Sequence, residues 1–454
     1  ELMVAGSRPS AYANVRVGVS KDGRLNAWDS HSFGTSGDGG GGGGLRLPYV
    51  FEKMPYRQVH TAIRTNTGPA RAWRAPSHPQ LCLITMSALE DAAAALQIDP
   101  LEFFRKNLDL TGMPEVYEEE LGIAAKLMGW KERWHPRGEA AGSKGPRRSG
   151  LGLSIHTWGG RGHDSNCRTT LYADGRVDVA CATQDLGTGA RTVLAVVTAE
   201  TLGIPVEKVN VLIGDSMLPP SGASGGSTTT GGIATSSRTA AVDAINQLIA
   251  KVAPELDAAP EQCVVTDGRI QVEGAKERSM SYQEACGLIG AEPIVGNGRT
   301  DPDLMTGGVG GVQMAEVAVD IETGVVEMVK LVAVQDCGTI VNLQTTESQV
   351  MGACIMGIST ALFEERIMDP ITGDCLNPHL SHYRLAGIGD VGEIKVHMMQ
   401  TEGHHGRGVI GVGEPPVISP VAAISNAVAN AIGVRVGRVP LTPAAVLTAL
   451  GGVR

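Results

Sequence analysis

Sixty glycines punctuate this 454-residue chain, and they gather in clusters between stretches of regular hydrophobic period. That is about twice the ordinary usage. A fold built from such a sequence must turn sharply, or bring backbone against something else, in many places. The chain is too long for one ordinary core, so about two to four domains or subdomains are expected. Their interiors must be filled by Ala, Val, Ile and Leu, because only five Phe, five Trp and seven Tyr are present.

The net charge of -10 leaves no basic face for a nucleic acid, and none is expected as a partner. Lys144, Arg147 and Arg148 form the one basic cluster, in a Gly/Pro/Ser-rich stretch that reads as a solvated linker. No run of eighteen apolar residues is apparent, so no membrane span is expected. The chain opens on Glu1, and nothing before Val15 has the form of a signal peptide, which suggests a processed or truncated start. The expected location is cytoplasmic, or periplasmic where a partner carries the signal. Eight cysteines are scattered without a CxxC pair, so reduced, mostly buried thiols are expected, with no iron–sulfur cluster or structural zinc held by this chain.

The patterns predict a β-hairpin over Tyr12 to Asp29 turning at Lys21-Asp22-Gly23, and a flexible loop at Gly39 to Gly44. Helices are predicted over Pro79 to Leu96 and from Asp99-Pro100, where Asp caps and Pro takes the first turn. Residues 136–150 read as a linker between units at 1–135 and 151–454, the latter in two subdomains. Strands are predicted at 151–157, 169–182 and 209–213, on either side of Asp267-Gly268, and in a long hairpin from Val312 to Asp336. Helices are predicted at Ala190 to Leu202, 233–252, Thr345 to Leu362 and 418–432. Without a βαβ rhythm, the class is α+β.

Four glycine-containing segments could carry chemistry: Thr65 to Pro76, Gln184 to Gly189, Ser221 to Thr230, and Gly411 to Pro416. The first three precede helices, whose amino termini offer unpaired N–H groups and a positive dipole end to an anionic or oxygen-rich ligand. None is a P-loop, since no Lys follows the glycines. In the fourth, glycine precedes Glu414 and two prolines follow it, so a rigid backbone projects a carboxylate from an apolar stretch. Such a group tends towards a raised pKa and general-base work. The alternative is a carboxylate that satisfies amides near Val417. His156, His163, His404 and His405 read as polar core or loop residues, with substrate contact as the lesser alternative.

Taken together, QDLGTGART (184–192), LPPSGASGGSTTT (218–230), QDCGTIVNLQTTESQ (335–349) and GVGEPP (411–416) resemble the large subunit of the molybdenum hydroxylases. That is the family of xanthine dehydrogenase, aldehyde oxidoreductase and their bacterial relatives, and the resemblance runs along essentially the whole chain. It implies the family's elongated, multi-subdomain α+β fold, with a partial first cofactor-binding domain at 1–135 and a second at 151–454. It implies a molybdopterin cofactor, in mononucleotide or cytosine dinucleotide form, with no protein ligand to molybdenum.

The resemblance makes Glu414 the base that deprotonates a metal-bound hydroxide, whose oxygen attacks an electrophilic carbon while hydride passes to a sulfido ligand. Gln184, Gly187, Thr188 and Gly189 match a loop at the pterin, with Thr188 standing where many members have Gln. Ser224, Gly225, Gly226, Ser227, Thr228 and Thr229 match the loop holding the pterin and its phosphate end. Gln349 and Gly413 match cofactor contacts, and Arg74 matches an arginine facing substrate and metal. Pro76 stands where the family has an aromatic ring, which argues against flat purines; Trp73 and Trp158 are candidates to wall the pocket instead.

The family's Gly-Gly-Gly-Phe-Gly loop and most of the half-domain around it have no counterpart here. A partner chain is therefore expected to supply them, alongside an iron–sulfur subunit and an FAD subunit. The implied activity is hydroxylation of an aldehyde or electron-poor ring carbon. A hydratase adding water to an enone, and a non-catalytic scaffold, stay open as alternatives.

Overall fold

The computed structural model describes residues 5–38, 44–139 and 145–451. Lys144 and most of the predicted glycine loop at 39–44 lie outside these residues.

The chain begins with strands β1 (Ser10–Val19), β2 (Leu25–Thr35) and β3 (Tyr56–Ile63) in one sheet of that order. The predicted hairpin is present, with Val17 opposite Trp28. Helices α1 (His78–Ala95), α2 (Pro100–Lys106), α3 (Pro114–Met128) and α4 (Trp130–Arg133) follow. Asp99 caps α2 by accepting the N–H of Leu101 at 2.8 Å. Helix α3 escaped the sequence reading; its start carries Pro at the first position and its end a left-handed Gly129, the usual punctuation of a helix.

The described parts of the stretch predicted as a solvated linker, 136–139 and 145–150, are instead packed or in a strand. Arg137 pairs with Glu90 and with Asp91, Arg435 reaches the same Glu90 at 2.7 Å, and Gly138 donates to the Asn430 carbonyl. Glu90 is almost fully buried and needs these two cations, which is why the segment cannot float free. Strand β4 (Arg147–Trp158) already begins within it, so Arg147 and Arg148 belong to a strand.

The predicted strand over 169–182 is two: β5 (Asn166–Leu171) and β6 (Val177–Ala180), divided by a turn at Asp174-Gly175. Then come α5 (Ala190–Leu202), β7 (Val209–Leu212), α6 (Thr229–Val252), β8 (Cys263–Thr266), β9 (Arg269–Val272), β10 (Ala275–Ser281), α7 (Tyr282–Cys286) and β11 (Ile294–Arg299). The predicted long hairpin is β12 (Val309–Asp320) with β13 (Val326–Gln335). The chain ends with α8 (Leu343–Leu362), β14 (Glu393–Met398), α9 (Glu402–His405), α10 (Pro420–Ile432) and α11 (Pro443–Gly451).

Two four-stranded sheets, β11-β5-β6-β7 and β14-β13-β12-β4, carry most of the second part. Each contains one parallel pair, β6 with β7 across α5 and β13 with β14 across α8. The α+β class stands, but strand–helix–strand units are present that the sequence rhythm did not reveal. Both sheets use the same packing device. Gly150 and Gly152 lie against the backbone of α10, and Gly296 and Gly298 against that of α6, where any β-carbon would collide with helix carbonyls. These four glycines thus serve strand-on-helix contact.

The largest core joins β2, α1, α2 and α3 to β4, β12, β13 and the start of α10, so the amino-terminal segment and the later sheet share one interior. Seven of the eight cysteines are buried and Cys375 is partly so. One stretch, Pro415–Ile432, is long and apolar enough to cross a membrane by length and composition; 94% of it is buried within the fold.

Candidate active site

The four segments singled out above, separated by up to some 340 residues, meet around one cavity of about 340 Å³. Its wall includes Arg74, Thr188, Ser224 to Ser227, Thr229, Gln349, Gly413 and Glu414.

Glu414 is held from three directions. Its backbone N–H donates to the Ser227 hydroxyl at 2.8 Å. Pro415 and Pro416 turn the chain into a short 3-10 helix, which the Glu414 side chain does not cap. The amides near Val417 are therefore not its partners. Instead, carboxylate Oε1 accepts the Ala75 N–H at 3.0 Å. Oε2 is buried and has no hydrogen-bond partner among the described residues. The Gly411 that opens this corner is required by close approach, since a β-carbon there would overlap the Ser227 carbonyl.

Arg74 ties the corner to α8: its Nε donates to the Gly413 carbonyl at 2.6 Å and its Nη2 to the Gln349 carbonyl at 3.0 Å. Burial lowers the guanidinium's pKa, and Glu414 opposes that. Ala75 is fully buried with φ 57°, and Ser77 has φ 68°, so the chain reverses at the start of α1. This reversal leaves Trp73 54% exposed and Pro76 exposed, and neither forms part of the cavity wall proposed for them. Trp158 is also off the wall; its indole N–H donates to the Gly226 carbonyl at 2.9 Å and so braces the loop before α6.

The Gln184–Gly189 loop works differently from expectation. Asp185 Oδ1 accepts the N–H groups of Gly187, Thr188 and Gly189 at 2.9, 3.0 and 3.1 Å, and Oδ2 that of Arg191 at 3.4 Å. The amides predicted to face a ligand are already taken. Burial would raise the Asp185 pKa, but the four amide bonds outweigh it and hold the carboxyl below its usual range. Gln184 is exposed but likewise bonded within the protein, accepting the Ser224 N–H at 3.0 Å, while Ser224 Oγ donates to the Gln184 carbonyl. Thr188 reaches the wall. The Gly187 carbonyl accepts from Gln349 Nε2 at 3.4 Å, and Gly189 packs on Thr345.

The free donors lie at the start of α6, which begins at Thr229, four residues earlier than the pattern suggested. No side chain caps it, so the N–H groups of Thr229, Thr230 and Gly231 lack partners within the helix. Thr229 and Thr230 face the cavity, whereas Thr228 turns inward and donates to the Gly225 carbonyl at 2.8 Å.

The sequence reading missed Thr339 to Asn342, Thr345 and Thr346 on the opposite wall. The signal was there: Asn342 accepts the Thr345 N–H at 2.9 Å, an N-cap that starts α8 at Leu343 rather than 345. The histidines are structural. His156 is fully buried between Ser419 and Gln335, and burial drops its pKa to about 4. His163 bonds Ser165, and His404, in a short helix rather than a loop, bonds Asp336. The side chain of His405 lies outside the described residues.

Two domain models, each described as a molybdopterin cofactor-binding domain, match residues 1–108 and 123–392. The aldehyde oxidoreductase molybdenum-binding subunit PaoC of Escherichia coli is 30% identical over 96% of this chain and 60% of its own length. The putative xanthine dehydrogenase molybdenum-binding subunit XdhA of the same organism is 28% identical over 94% of this chain and 60% of its own. This chain thus spans about three fifths of the curated relatives it matches. Among solved structures, quinoline 2-oxidoreductase from Pseudomonas putida superposes with a TM-score of 0.86 over 99% of this chain and 63% of that one, at 22% identity. CO dehydrogenase from Oligotropha carboxidovorans gives 0.86 at 21% identity over all of this chain and 63% of that one. The chain belongs to the molybdenum hydroxylase large subunits, through their molybdopterin cofactor-binding domains.

Proposed function

We propose that this chain carries the catalytic site of a multi-subunit oxidoreductase that hydroxylates an aldehyde or an electron-poor ring carbon with oxygen from water, with Glu414 as the base. The observation that carries the reading is the divided state of its carboxylate. Oε1 is fixed by the Ala75 amide, whereas Oε2 is buried on the cavity wall with nothing to bond. A buried, unsatisfied carboxylate oxygen costs free energy unless another group meets it there. A proton held on Oε2 during turnover supplies that partner.

The residues present fit a molybdopterin. The uncapped start of α6 offers the N–H groups of Thr229 and Thr230, and the Thr345 and Thr346 end of α8 adds hydroxyls across the cavity. Gln349 and Ser227, which line the same cavity as Glu414 and Arg74, would hold the cofactor beside the carboxylate. When bound, the cofactor supplies the two-electron couple and the site of oxygen transfer. The chain's own part is to hold the carboxylate in one orientation, exclude water with Val409, Ile410 and Val412, and receive the proton at Oε2. Mononucleotide and cytosine dinucleotide forms both suit this reading.

Because this chain covers about three fifths of its relatives, the proposal includes a further polypeptide segment completing the large subunit, with electrons leaving to iron–sulfur and FAD subunits. The Glu414→Gln variant of the assembled complex tests the reading. The amide keeps the shape but cannot take the proton, so turnover is lost while molybdenum and pterin are retained. Retained turnover would remove Glu414 from the role.

A further inference from the structure

The geometry points to Arg8 as a positioning residue for the Glu414 carboxylate, acting through the backbone of Arg74 and Ala75; the inference rests on the role proposed for Glu414. The Arg8 guanidinium forks onto two consecutive carbonyls, Nη2 to Arg74 at 2.8 Å and Nη1 to Ala75 at 3.4 Å. Between those two carbonyls lies the Ala75 N–H that binds Glu414 Oε1 at 3.0 Å. Fixing both carbonyls fixes the direction in which that N–H points.

The segment needs holding. Ala75 and Ser77 both sit in the left-handed region, at φ 57° and 68°, which residues with a β-carbon occupy only where their surroundings over-determine the backbone. Pro76 between them removes one backbone donor that could otherwise have anchored the turn. The neighbours of Arg8 pin the flanks: the Ser7 carbonyl accepts the Arg71 N–H at 3.0 Å, and the Pro9 carbonyl accepts from Gln80 Nε2 at 2.8 Å. Arg8 alone reaches the Arg74 carbonyl, whereas the Ala75 carbonyl also accepts the His78 N–H at 3.1 Å. Removal of Arg8 therefore leaves the turn attached at both ends and at the Ala75 carbonyl, and loosens the Arg74–Ala75 peptide that carries the Ala75 N–H.

Charge supports the assignment. Burial brings the Arg8 pKa down to about 10, and Glu364 and Glu414 act in the opposite direction. Lysine could supply the charge but not the two-pronged grip.

The test uses the assembled complex with Arg8→Met, Arg8→Lys and Glu414→Gln, and benzaldehyde with a dye acceptor as the probe reaction. In Arg8→Met, amide hydrogen exchange within residues 72–77 accelerates about tenfold while that of α1 is unchanged, and molybdenum and pterin contents stay at wild-type level. With the same variant kcat falls about tenfold and KM stays within about twofold, the signature of lost transition-state positioning, and Arg8→Lys recovers part of both effects. Unchanged exchange at 72–77 overturns the inference. So does unchanged kcat in Arg8→Met when Glu414→Gln is inactive, and so does accelerated exchange across α1 with loss of cofactor, which marks a merely structural brace. An active Glu414→Gln enzyme would instead fault the role of Glu414 itself, so the two failures are told apart.

Discussion

The Ser227 hydroxyl accepts the backbone N–H of Glu414 at 2.8 Å, and the two residues come from loops 187 positions apart. Ser227 itself has φ 61°, a left-handed conformation, and its carbonyl sits against Gly411. The loop before α6 and the glycine–proline corner are therefore one construction, locked by a side chain on one strand of contact and by a missing side chain on the other.

Ser227→Ala removes the acceptor without adding bulk. The Glu414 N–H is then left without its partner, at a cost of about 1–2 kcal/mol. A fall in kcat of about tenfold with molybdenum content preserved is expected, measured by steady-state kinetics and metal analysis. Wild-type kcat would show that the proline corner suffices to hold the acid.

Gly411→Ala attacks the same contact from the other side. The new methyl has no room beside the Ser227 carbonyl, so the loops must part. Destabilisation of about 2 kcal/mol or more is expected, together with loss of bound pterin, read by thermal unfolding and by fluorescence of the released cofactor. Wild-type stability and pterin content would mean that the corner yields easily.

These two variants also mark how far the sequence could be read. The glycine–proline pattern around Glu414 announced a rigid carboxylate because backbone restriction is written locally. Its partners Ser227 and Ala75, and Arg8 behind Ala75, were not visible, since each comes to the corner across a long loop closure that no periodicity encodes. Local chemistry also misled at Asp185. A glycine turn ahead of a helix looks the same whether its amides await a ligand or are already bound by the turn's own carboxylate. Helix α8 begins at Leu343, after its N-cap Asn342, and the apolar period alone placed that start two residues late. Likewise, the segment at 136–150 looked like a linker because the ion pairs of Arg137 lie with Glu90 and Asp91, far away in the chain.

Asp185→Ala tests the carboxylate cap. Four amides lose their acceptor, and the loop from Leu186 to Gly189 should exchange hydrogen faster. Because Asp185 is largely exposed, the cost is about 1 kcal/mol or less. Its pKa is depressed in the folded chain, so its contribution is present above the ordinary aspartate value and is lost as pH falls through the lowered folded value. The stability gap between wild type and variant should be present at neutral pH and close in strong acid. A gap independent of pH would assign the effect to packing.

Glu120 makes the opposite prediction. It is fully buried on α3, neither carboxylate oxygen has a partner among the described residues, and burial followed by the nearby Asp336 pushes its pKa well up, against the pull of Arg407. The folded chain keeps a proton that the unfolded chain releases, so stability is full below the ordinary glutamate value and is lost as pH rises towards the raised folded value. Glu120→Gln keeps the neutral shape and abolishes this titration. The variant should match wild type near pH 4 and exceed it by at least about 1 kcal/mol at pH 8, measured by urea unfolding at both values. An equal difference at the two pH values would mean that Glu120 is ionised in the fold, held there by Arg407 across the interior.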